Sequence, residues 1–312
     1  MVDSKQQWKA WLYLAPAIVL LLIFTVWPII NTVRLAFLEG YNALEATWGA
    51  TYNIGIGNFI DVLDYDEFLT CLKNTMWLTF LTVPISTLLA LLIAVALNSI
   101  KPLQKFLQTI FFLPYVTNSI AIGMVFAAMF NIIGLRPNGM QADTWGIINN
   151  IIMFFGGDPI NWINAQSSWW ANIAVMVVYI VWNALPFKIL ILLGGLQSIN
   201  KQYYDAAKVD GTPRRRVFTR ITVPLLSPML AYVLITGFIG GFKEYSSIVG
   251  IFGEKMGPVG APYSLNTMVG YIYEVLPDMN YGVASAAALI LFVIILIVTM
   301  INSAVSKRSV HY

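Results

Sequence analysis

The sequence of 312 residues has few charged residues, one cysteine and one histidine. Charged residues make up 11% of it, against roughly 25% in an average soluble domain, which argues against a soluble fold. The lone cysteine, Cys71, excludes an intrachain disulfide and a cysteine-based metal site. The single histidine, His311, is the penultimate residue, so the sequence offers no histidine around which a catalytic centre could be built inside the fold.

Hydrophobic residues are abundant instead, at 58% of the chain with a mean hydropathy of +0.73. Six uncharged runs of at least 22 residues follow one another, and a membrane-spanning helix needs about 20 apolar residues. We therefore predict an all-α polytopic membrane protein with six transmembrane helices, forming a single domain over residues 1–312. The predicted helices cover about 11–38, 75–97, 107–131, 168–194, 222–247 and 281–304.

Two hydrophobic runs need a separate interpretation: one is too short to cross the membrane, and the other is not expected to be a cleaved signal peptide. The run Thr144–Gly157 is too short to span, and it predicts an amphipathic or interfacial helix on one side of the membrane. The first apolar run is longer than the core of a signal peptide, and no small-residue cleavage site follows it before Arg34. We expect this run to be retained as the first helix.

Basic residues set the predicted orientation, because cytoplasmic loops carry an excess of lysine and arginine. In a six-helix arrangement, twelve of the 18 basic residues fall on one side, while the opposite loops are rich in Asp and Glu. Both termini are therefore expected in the cytoplasm, and the net charge of +3 needs no nucleic-acid partner. The twelve are Lys5, Lys9, Lys101, Lys105, Lys201, Lys208, Arg214, Arg215, Arg216, Arg220, Lys307 and Arg308.

The longest basic loop, residues 195–221, is predicted to contain two short helices. Gly194 and Gly195 suit the end of the fourth helix, and Ser198 or Asn200 can cap a short helix that runs to about Val209. Asp210-Gly211 then breaks that helix, since glycine adopts turn conformations freely. Thr212 as N-cap and Pro213 at the first helical position start a second short helix at an angle to the first.

This segment resembles the coupling loop of ABC importer permeases, whose pattern reads roughly E-A-A-x-x-x-D-G-A and then F-x-x-I-x-x-P. Two positions depart from it: Asp205 replaces the usual Glu, with the same charge but a shorter reach, and Thr212 replaces the usual Ala. Shorter similarities to sugar-permease subunits lie at Leu12–Pro16, Trp27-Pro28 and Phe111–Pro114. The matching loop residues are Ala206, Ala207, Asp210, Gly211, Phe218, Ile221 and Pro224.

The resemblance implies a type I ABC importer permease fold of the carbohydrate family, like the maltose and glycerol-3-phosphate permeases. Its implied partners are a second permease subunit, two ATPase subunits, an external solute-binding protein and the lipid of a prokaryotic inner membrane. Asp205 would engage the ATPase, Ala206, Ala207 and Gly211 would shape the docking helix, and Asp210 would help to end it. Phe218 and Pro224 complete the implied coupling residues.

The sequence contains no G-x-x-x-x-G-K-[ST] phosphate-binding loop, so it cannot form that nucleotide cradle itself. We expect no catalytic residue, metal or cofactor on this chain, with ATP and magnesium bound by the partner ATPase. The apolar regions outside the loop add two packing predictions. Gly237 and Gly241, and the cluster Ala284–Ala288, allow helices to approach closely, preferentially within this chain.

Polar and aromatic residues at membrane depth are the candidates for a substrate pathway, since polar groups there are costly. A sugar needs flat apolar faces for its ring, and amides or hydroxyls for its OH groups. We expect Lys243 and Glu244 to pair with neighbours or to snorkel, and Lys188 to lie nearer the cytoplasm. The predicted pathway residues are Asn118, Trp182, Asn183, Phe242 and Tyr245.

Several substrates and two other functions remain open at this point. Sugars, oligosaccharides and glycerol phosphate all fit, with a neutral saccharide favoured by the few fixed positive charges among the pathway candidates. An ion-coupled secondary transporter would require intramembrane carboxylates and inverted repeats, and Glu244 is the clear acidic candidate. A membrane-embedded enzyme is disfavoured by the lack of catalytic acids at depth. The external stretches 39–70 and 248–280 are expected to be available to a binding protein.

Overall fold

The structure is a computed structural model that describes residues 7–43, 52–100, 104–134 and 143–309. Lys5, Lys101 and His311, used above, lie outside the described residues. The chain divides into two compact units, one of Met1–Phe68 with Tyr271–Phe292 and one of Leu69–Gly270 with Val293–Tyr312. The single domain over residues 1–312 stays a prediction.

The first unit begins with a long apolar rod. Helix α1 (Gln7–Leu21) passes through the π-helical turn Leu22–Val26 into α2 (Trp27–Ala36). The π turn lies just before Pro28, where the missing backbone N–H interrupts regular α-helical bonding. The end of α2 is capped by the buried Asn58 of α3 (Gly57–Asp64), whose amide donates to the carbonyls of Ala36 at 3.1 Å and Leu38 at 2.8 Å.

The remaining elements alternate long apolar helices with short connecting ones. Among the described residues, four helices are long and apolar enough to cross a membrane, and a bent helix pair could provide a fifth crossing. In chain order the further elements are α4 (Asp66–Ser99), α5 (Gln104–Val116), α6 (Ser119–Phe130), β1 (Ile132–Ile133), β2 (Thr144–Trp145), α7 (Ile147–Phe154), α8 (Trp169–Ser198), α9 (Lys201–Val209), α10 (Arg214–Val217), α11 (Val223–Leu225), α12 (Ser227–Gly241), α13 (Ser246–Phe252), α14 (Met268–Val275) and α15 (Tyr281–Ser309).

The single helix predicted over 107–131 is two helices, α5 and α6, which meet at Thr117-Asn118. Asn118 has extended backbone angles, and its side-chain oxygen accepts the N–H groups of Ile120 at 2.9 Å and Ala121 at 3.3 Å. An asparagine that caps a helix in this way starts a new helix and ends the preceding one. Hydropathy alone did not predict this break, because the run is hydrophobic on both sides of it.

The helix predicted over 222–247 is also divided. The segment Arg214–Leu225 and α12 are bent by 66° relative to each other, and α12 ends at Gly241. Pro228, in the first turn of α12, cannot donate a backbone hydrogen bond to the turn before it, which accounts for a bend at this place. After a turn through Phe242–Tyr245, the short helix α13 begins.

The predicted end of the fourth helix at Gly194-Gly195 is wrong, because α8 continues to Ser198. Both glycines are helical, and Gly195 serves a packing purpose instead. A Cβ atom at Gly195 would lie 2.7 Å from Leu226 Cδ1 and 2.7 Å from Met229 Cγ, so the missing side chain lets the start of α12 approach α8. Ser198 then forms the end of the helix, with its hydroxyl donating to the Gly195 carbonyl at 2.8 Å.

The segment predicted as an interfacial helix over 144–157 does form a helix, α7. Strands β1 and β2 precede it as a two-residue antiparallel ladder, which the all-α prediction did not include. The buried Asn149 fixes α7 by accepting from Trp162 Nε1 at 3.0 Å and from the Ile160 N–H at 3.1 Å. The adjoining Phe154 and Phe155 are 83% and 80% exposed, which leaves two aromatic rings at the surface of this short helix.

Glycines bring helices together in the second unit, as expected for Gly237 and Gly241. A Cβ atom at Gly241 would lie 2.9 Å from Thr79 Cγ2 of α4, so this contact within the chain depends on glycine. The contact between α6 and α13 is closer still, since a Cβ at Gly123 would lie 2.7 Å from the Cα of Gly250. In α15, most of the cluster Ala284–Ala288 is buried.

Candidate functional site

A cavity of about 300 Å³ lies among α4, α5, α8 and α12, inside the apolar helices of the second unit. Its wall combines aromatic rings, glycine backbone and polar side chains, although the helices that carry them are mostly apolar. Polar groups at such a place are costly unless they have a partner or a purpose. The polar and aromatic lining residues are Thr82, Ser86, Tyr115, Asn183, Phe187, Lys188, Thr236 and Glu244.

Two aromatic rings form a flat part of the cavity wall. The rings of Tyr115 and Phe187 stack with their centroids 5.8 Å apart and their planes 18° apart. Tyr115 comes from the end of α5 and Phe187 from the middle of α8, so the stack joins two helices. A flat apolar surface with a phenolic hydroxyl at one edge suits a ligand that has both a ring face and hydroxyl groups.

Two polar groups of the wall are available for a ligand. The amide of Asn183 and the hydroxyl of Thr82 make no hydrogen bond within the part of the chain that the structure describes. By contrast, the hydroxyl of Thr236 is engaged, donating to the carbonyl of Tyr232 at 2.7 Å. An amide can donate two hydrogen bonds and accept two, so Asn183 offers the largest free hydrogen-bonding capacity among these three residues.

Lys188 supplies a buried positive charge behind the cavity. Its Nζ atom donates to Ser86 Oγ at 2.6 Å, Thr87 Oγ1 at 3.0 Å and the carbonyl of Val83 at 3.2 Å, all on α4. An ammonium group has three protons, so these three oxygens use its full donor capacity. Gly237 provides the space, since a Cβ there would lie 3.3 Å from Nζ. Lys188 therefore joins α8 to α4 and offers a ligand its electrostatic field more than a free donor.

Glu244 supplies the carboxylate of the cavity wall from the turn after α12. Its Oε1 accepts the N–H of Ser247 at 3.1 Å, and its backbone carbonyl accepts the hydroxyl of Thr267 at 2.8 Å. These two contacts fix the residue from both sides. The expectation that Glu244 pairs with neighbours is confirmed, with a backbone N–H as the partner.

The polar loop begins with α9, which Asn200 caps by accepting the Gln202 N–H at 2.9 Å. The helix ends at Asp210, and Gly211 follows with φ of +64°, the left-handed conformation that glycine adopts without strain. The N–H of Thr212 reaches back to the carbonyl of Ala207 at 2.9 Å, and that of Gly211 to Lys208 at 3.1 Å, which is the Schellman pattern of a helix end. The helix predicted from Ser198 or Asn200 to Val209 is confirmed.

The second helix of the loop begins one residue later than predicted. Pro213 has extended angles, with φ of −64° and ψ of 144°, and its carbonyl accepts the Arg216 and Val217 N–H groups. Pro213 is therefore the N-cap, and the prediction of Thr212 as N-cap is wrong. Thr212 belongs instead to the end of α9, because its N–H donates the last hydrogen bond of that helix, to the carbonyl of Ala207.

The seven predicted coupling residues divide between an exposed tip and a buried base. Asp205, Ala206, Asp210 and Gly211 are exposed, whereas Ala207 is buried and Phe218 packs against the buried cluster of α4, α8 and α12 that includes Leu97 and Leu196. Pro224 is half-buried at the start of α11. A hydroxyl contact between Tyr204 and Thr222, 3.3 Å apart, joins the two arms of the loop. The tip can meet another protein while the base holds it on the membrane helices.

A sequence model of the family described as binding-protein-dependent transport system inner membrane component matches residues 71–311. This range contains both the cavity and the polar loop. The chain belongs to this family. It is thus a multi-pass inner membrane protein, in agreement with its apolar helices.

Named relatives of this inner membrane component match along nearly their whole length. The lactose transport system permease protein LacF of Rhizobium radiobacter is 28% identical over 94% of this chain and 91% of the relative. The arabinooligosaccharides transport system permease protein AraP of Bacillus subtilis (strain 168) is 29% identical over 94% of this chain and 86% of the relative.

A solved structure shares the fold. The match is to the crystal structure of a bacterial alginate ABC transporter in complex with an alginate pentasaccharide-bound periplasmic protein. It has a TM-score of 0.76 and 26% identity, and covers 97% of this chain and 96% of that chain. This inner membrane component therefore has an ABC importer permease fold.

Of the five predicted pathway residues, Asn183 alone lines the cavity. Trp182 packs on Phe126 with ring centroids 5.2 Å apart, and Phe242 is fully buried beside Phe80. Tyr245 packs against the core around α6 and α8, and Asn118 serves as the cap described above. The pathway role of these residues stays a prediction.

The cavity residues that the sequence prediction omitted have a helical spacing. Thr82 and Ser86 lie four residues apart on α4, and Thr236 and Gly240 lie four apart on α12, so each pair shares one helix face. That spacing of small residues inside apolar helices was a usable signal. No sequence signal indicates the pairing of Tyr115 with Phe187, because these residues are 72 positions apart.

Proposed function

We propose that this chain is the permease subunit of an ATP-driven, binding-protein-dependent importer of sugars or oligosaccharides. Its relatives are named for the transport of lactose and of arabinooligosaccharides. The observation that carries the proposal is the cavity, where a stacked ring pair, Tyr115 and Phe187, lies beside the free amide of Asn183. A ring face together with free hydrogen-bonding groups, inside otherwise apolar helices, matches the chemistry of a saccharide.

A neutral saccharide fits this cavity better than an anionic one. The cavity wall carries one basic and one acidic side chain, Lys188 and Glu244, so it has no excess of positive charge to hold an anion, and all three ammonium protons of Lys188 are engaged by α4. Hydroxyl groups of a neutral sugar can donate to Glu244 and to Asn183. We therefore favour a neutral sugar or oligosaccharide over glycerol phosphate.

Transport would proceed by alternating access driven by a separate ATPase. The exposed tip of the loop, with Asp205, Ala206, Asp210 and Gly211, would dock on the ATPase, which binds ATP and magnesium. Phe218, Ala207 and Pro224, at the base, would pass the movement to the membrane helices. Support for this division comes from the burial of the loop residues, since Asp205, Ala206, Asp210 and Gly211 are exposed, whereas Ala207 is buried and Phe218 packs on the buried cluster.

The proposed topology has six crossings and cytoplasmic termini. In it, α5 with α6 forms the third crossing and α12 forms the fifth, which the segment Arg214–Leu225 enters from the cytoplasmic side at an angle of 66°. The basic residues of the polar loop support a cytoplasmic position for that loop. The proposed partners are a second permease subunit, two ATPase subunits and an external solute-binding protein, which would meet the outer segments 39–70 and 248–280.

An ion-coupled secondary transporter is the second candidate. The observation in its favour is that the cavity contains two ionisable groups, Lys188 and Glu244. Such a transporter would work without any ATPase subunit and would depend on an ion gradient.

Uptake of radiolabelled sugars in cells, with and without the ATPase gene, separates the two candidates. An importer requires ATPase and binding protein, whereas a secondary transporter retains uptake when the ATPase is deleted and loses it when the ion gradient is collapsed. Within the importer, Asn183→Ala is expected to lower uptake at unchanged membrane expression. The matched control is Val178→Ala, on the same helix but with a 51% exposed side chain, and it should leave uptake unchanged.

A further inference from the structure

Four arginines of the polar loop form a concentrated positive surface. Arg214, Arg215, Arg216 and Arg220 fall within seven residues, and all four are exposed. None of them makes an ion pair or a side-chain hydrogen bond with the residues that the structure describes. The loop's first helix differs in this respect, since Lys208 pairs with Asp205 at 3.4 Å. The guanidinium groups are thus available to a partner outside the chain.

These arginines lie on a helical arm that leaves the membrane helix at a steep angle. We call residues Arg214–Leu225 the arginine arm; its axis is bent by 66° from that of α12. With α12 crossing the membrane, the arm runs closer to the membrane plane than to its normal. Its apolar side faces the protein, because Phe218 packs on the buried cluster and Thr222 is buried. By helical spacing Arg216 and Arg220 lie on the side opposite Phe218, and Arg214 and Arg215 lie at the exposed start of the arm.

The bend also limits how far the positive charges rise beyond the start of α12. Arg220 lies seven residues before Ser227, the first residue of α12, or about 10 Å along the helix at 1.5 Å per residue. Projected on the direction of α12 through the 66° bend, this is a rise of about 4 Å, and the rise for Arg214 is about 8 Å. The headgroup layer on each side of a bilayer is roughly 5–8 Å thick. With Ser227 at the cytoplasmic boundary of the hydrocarbon core, the four backbone positions fall at headgroup depth.

We propose that the arginine arm is a binding site for the phosphate groups of anionic phospholipids in the cytoplasmic leaflet. The guanidinium group binds phosphate through paired hydrogen bonds, and unpaired arginines at headgroup depth gain from the negative surface potential of that leaflet. The inference rests on the proposed function only for the side of the membrane on which the arm lies. Because the arm continues directly into the loop tip, bound lipid would hold the base of the coupling segment in place.

The test measures lipid binding to the full-length chain, without ATPase or sugar. Purified protein in neutral detergent is titrated with short-chain phosphatidylglycerol, with phosphatidylcholine and with inorganic phosphate, and binding is followed by native mass spectrometry. Arg215→Gln with Arg216→Gln is compared with Lys201→Gln with Lys208→Gln, which removes the same charge from the same loop. At roughly fivefold per arginine, the arginine pair should weaken phosphatidylglycerol binding by about 25-fold. The lysine pair should change it less than threefold.

Three results would overturn the inference. Equal losses in the two double variants would mean that net charge, and not this site, attracts the lipid. Binding of inorganic phosphate as tight as that of phosphatidylglycerol would identify a free anion as the ligand. Unchanged lipid binding in the arginine variant, together with loss of the ATPase in a pull-down, would assign the arginines to the protein interface.

Two further comparisons distinguish loss of the lipid site from misfolding and from failure of the proposed importer function. A size-exclusion profile and unfolding midpoint equal to wild type in neutral lipid show that the arginine variant is folded, and Arg215→Lys with Arg216→Lys should restore most of the binding. If sugar uptake fails to depend on the ATPase while the arginine variant still loses phosphatidylglycerol, the proposed importer function falls and the lipid site stands.

Discussion

Lys188 of α8 donates a hydrogen bond of 2.6 Å to Ser86 of α4 across the wall of the cavity. With Thr87 and the Val83 carbonyl, Ser86 surrounds a charged group that is 4% exposed inside a membrane helix pair. Ser86→Ala is expected to lower the free energy of unfolding in detergent by about 1–3 kcal/mol, because one ammonium proton then lacks a partner. Ser99→Ala, an exposed serine of the same helix, is the control and should change stability by less than about 0.5 kcal/mol.

Replacing the lysine itself should cost less than removing its partner. In Lys188→Met the charge is absent, and Ser86 and Thr87 still donate to carbonyls of their own helix, at 2.5 Å to Thr82 and 2.7 Å to Val83. Removal of a whole buried charge is often close to neutral, while removal of one partner is not. A chemical-unfolding series on both variants checks the order, and a Lys188→Met protein less stable than Ser86→Ala would contradict this account.

The approach of α12 to α4 depends on Gly241 and not on its neighbour Gly240. A Cβ at Gly241 would lie 2.9 Å from Thr79 Cγ2, whereas a Cβ at Gly240 meets nothing within 4 Å. Gly241→Ala should therefore destabilise the chain by about 1–3 kcal/mol through overpacking. Gly240→Ala should be neutral or slightly stabilising, since alanine favours helix. Thermal unfolding of both variants in the same detergent decides, and equal midpoints would argue against the close contact.

The two adjacent alanines of α9 should respond oppositely to a larger side chain. Ala207 is buried and Ala206 is exposed. Ala207→Leu should lower stability by about 1–3 kcal/mol because it overpacks the base of the loop. Ala206→Leu should leave stability unchanged and weaken retention of the ATPase in a pull-down, as expected for a docking surface. Retention of the ATPase by a folded Ala206→Leu protein would place the docking surface elsewhere.

The end of α9 depends on the backbone of Gly211. Its φ is +64°, and a Cβ there would meet no atom within 4 Å, so a substitution is penalised by conformation alone. Gly211→Ala should cost about 1–2 kcal/mol locally, and Gly211→Asn less, since asparagine tolerates the left-handed region better. Amide hydrogen exchange in α9 measures the effect: the alanine variant should exchange faster than wild type, with the asparagine variant between them.

The ring face of the cavity gives a prediction for transport. Phe187→Leu removes the ring that stacks on Tyr115 and should raise the KM for sugar uptake about two- to tenfold, the value of one aromatic contact. Phe292→Leu, on α15 with 59% of its side chain exposed, is the control. Equal KM values in the two variants would remove the stacked pair from the substrate site.

The sequence alone determined the membrane class, the approximate place of the apolar helices and the outline of the polar loop. These follow from local properties: lengths of uncharged runs, the capping side chain of Asn200 and the turn at Asp210-Gly211. The break between α5 and α6 also has a local cause, the N-cap at Asn118. The prediction missed it because the sequence is strongly hydrophobic on both sides of Asn118.

Only the tertiary structure decided which polar groups meet. Lys188 and Ser86 are 102 residues apart in the sequence, and Tyr115 and Phe187 are 72 apart, so no local pattern pairs them. The same packing buries Phe242 and leaves Asn183 at the cavity, although both looked suitable in the sequence. A helix face is assigned to protein, lipid or cavity by its neighbours. Hydropathy determines whether a helix lies in the membrane, and packing determines what each of its side chains faces.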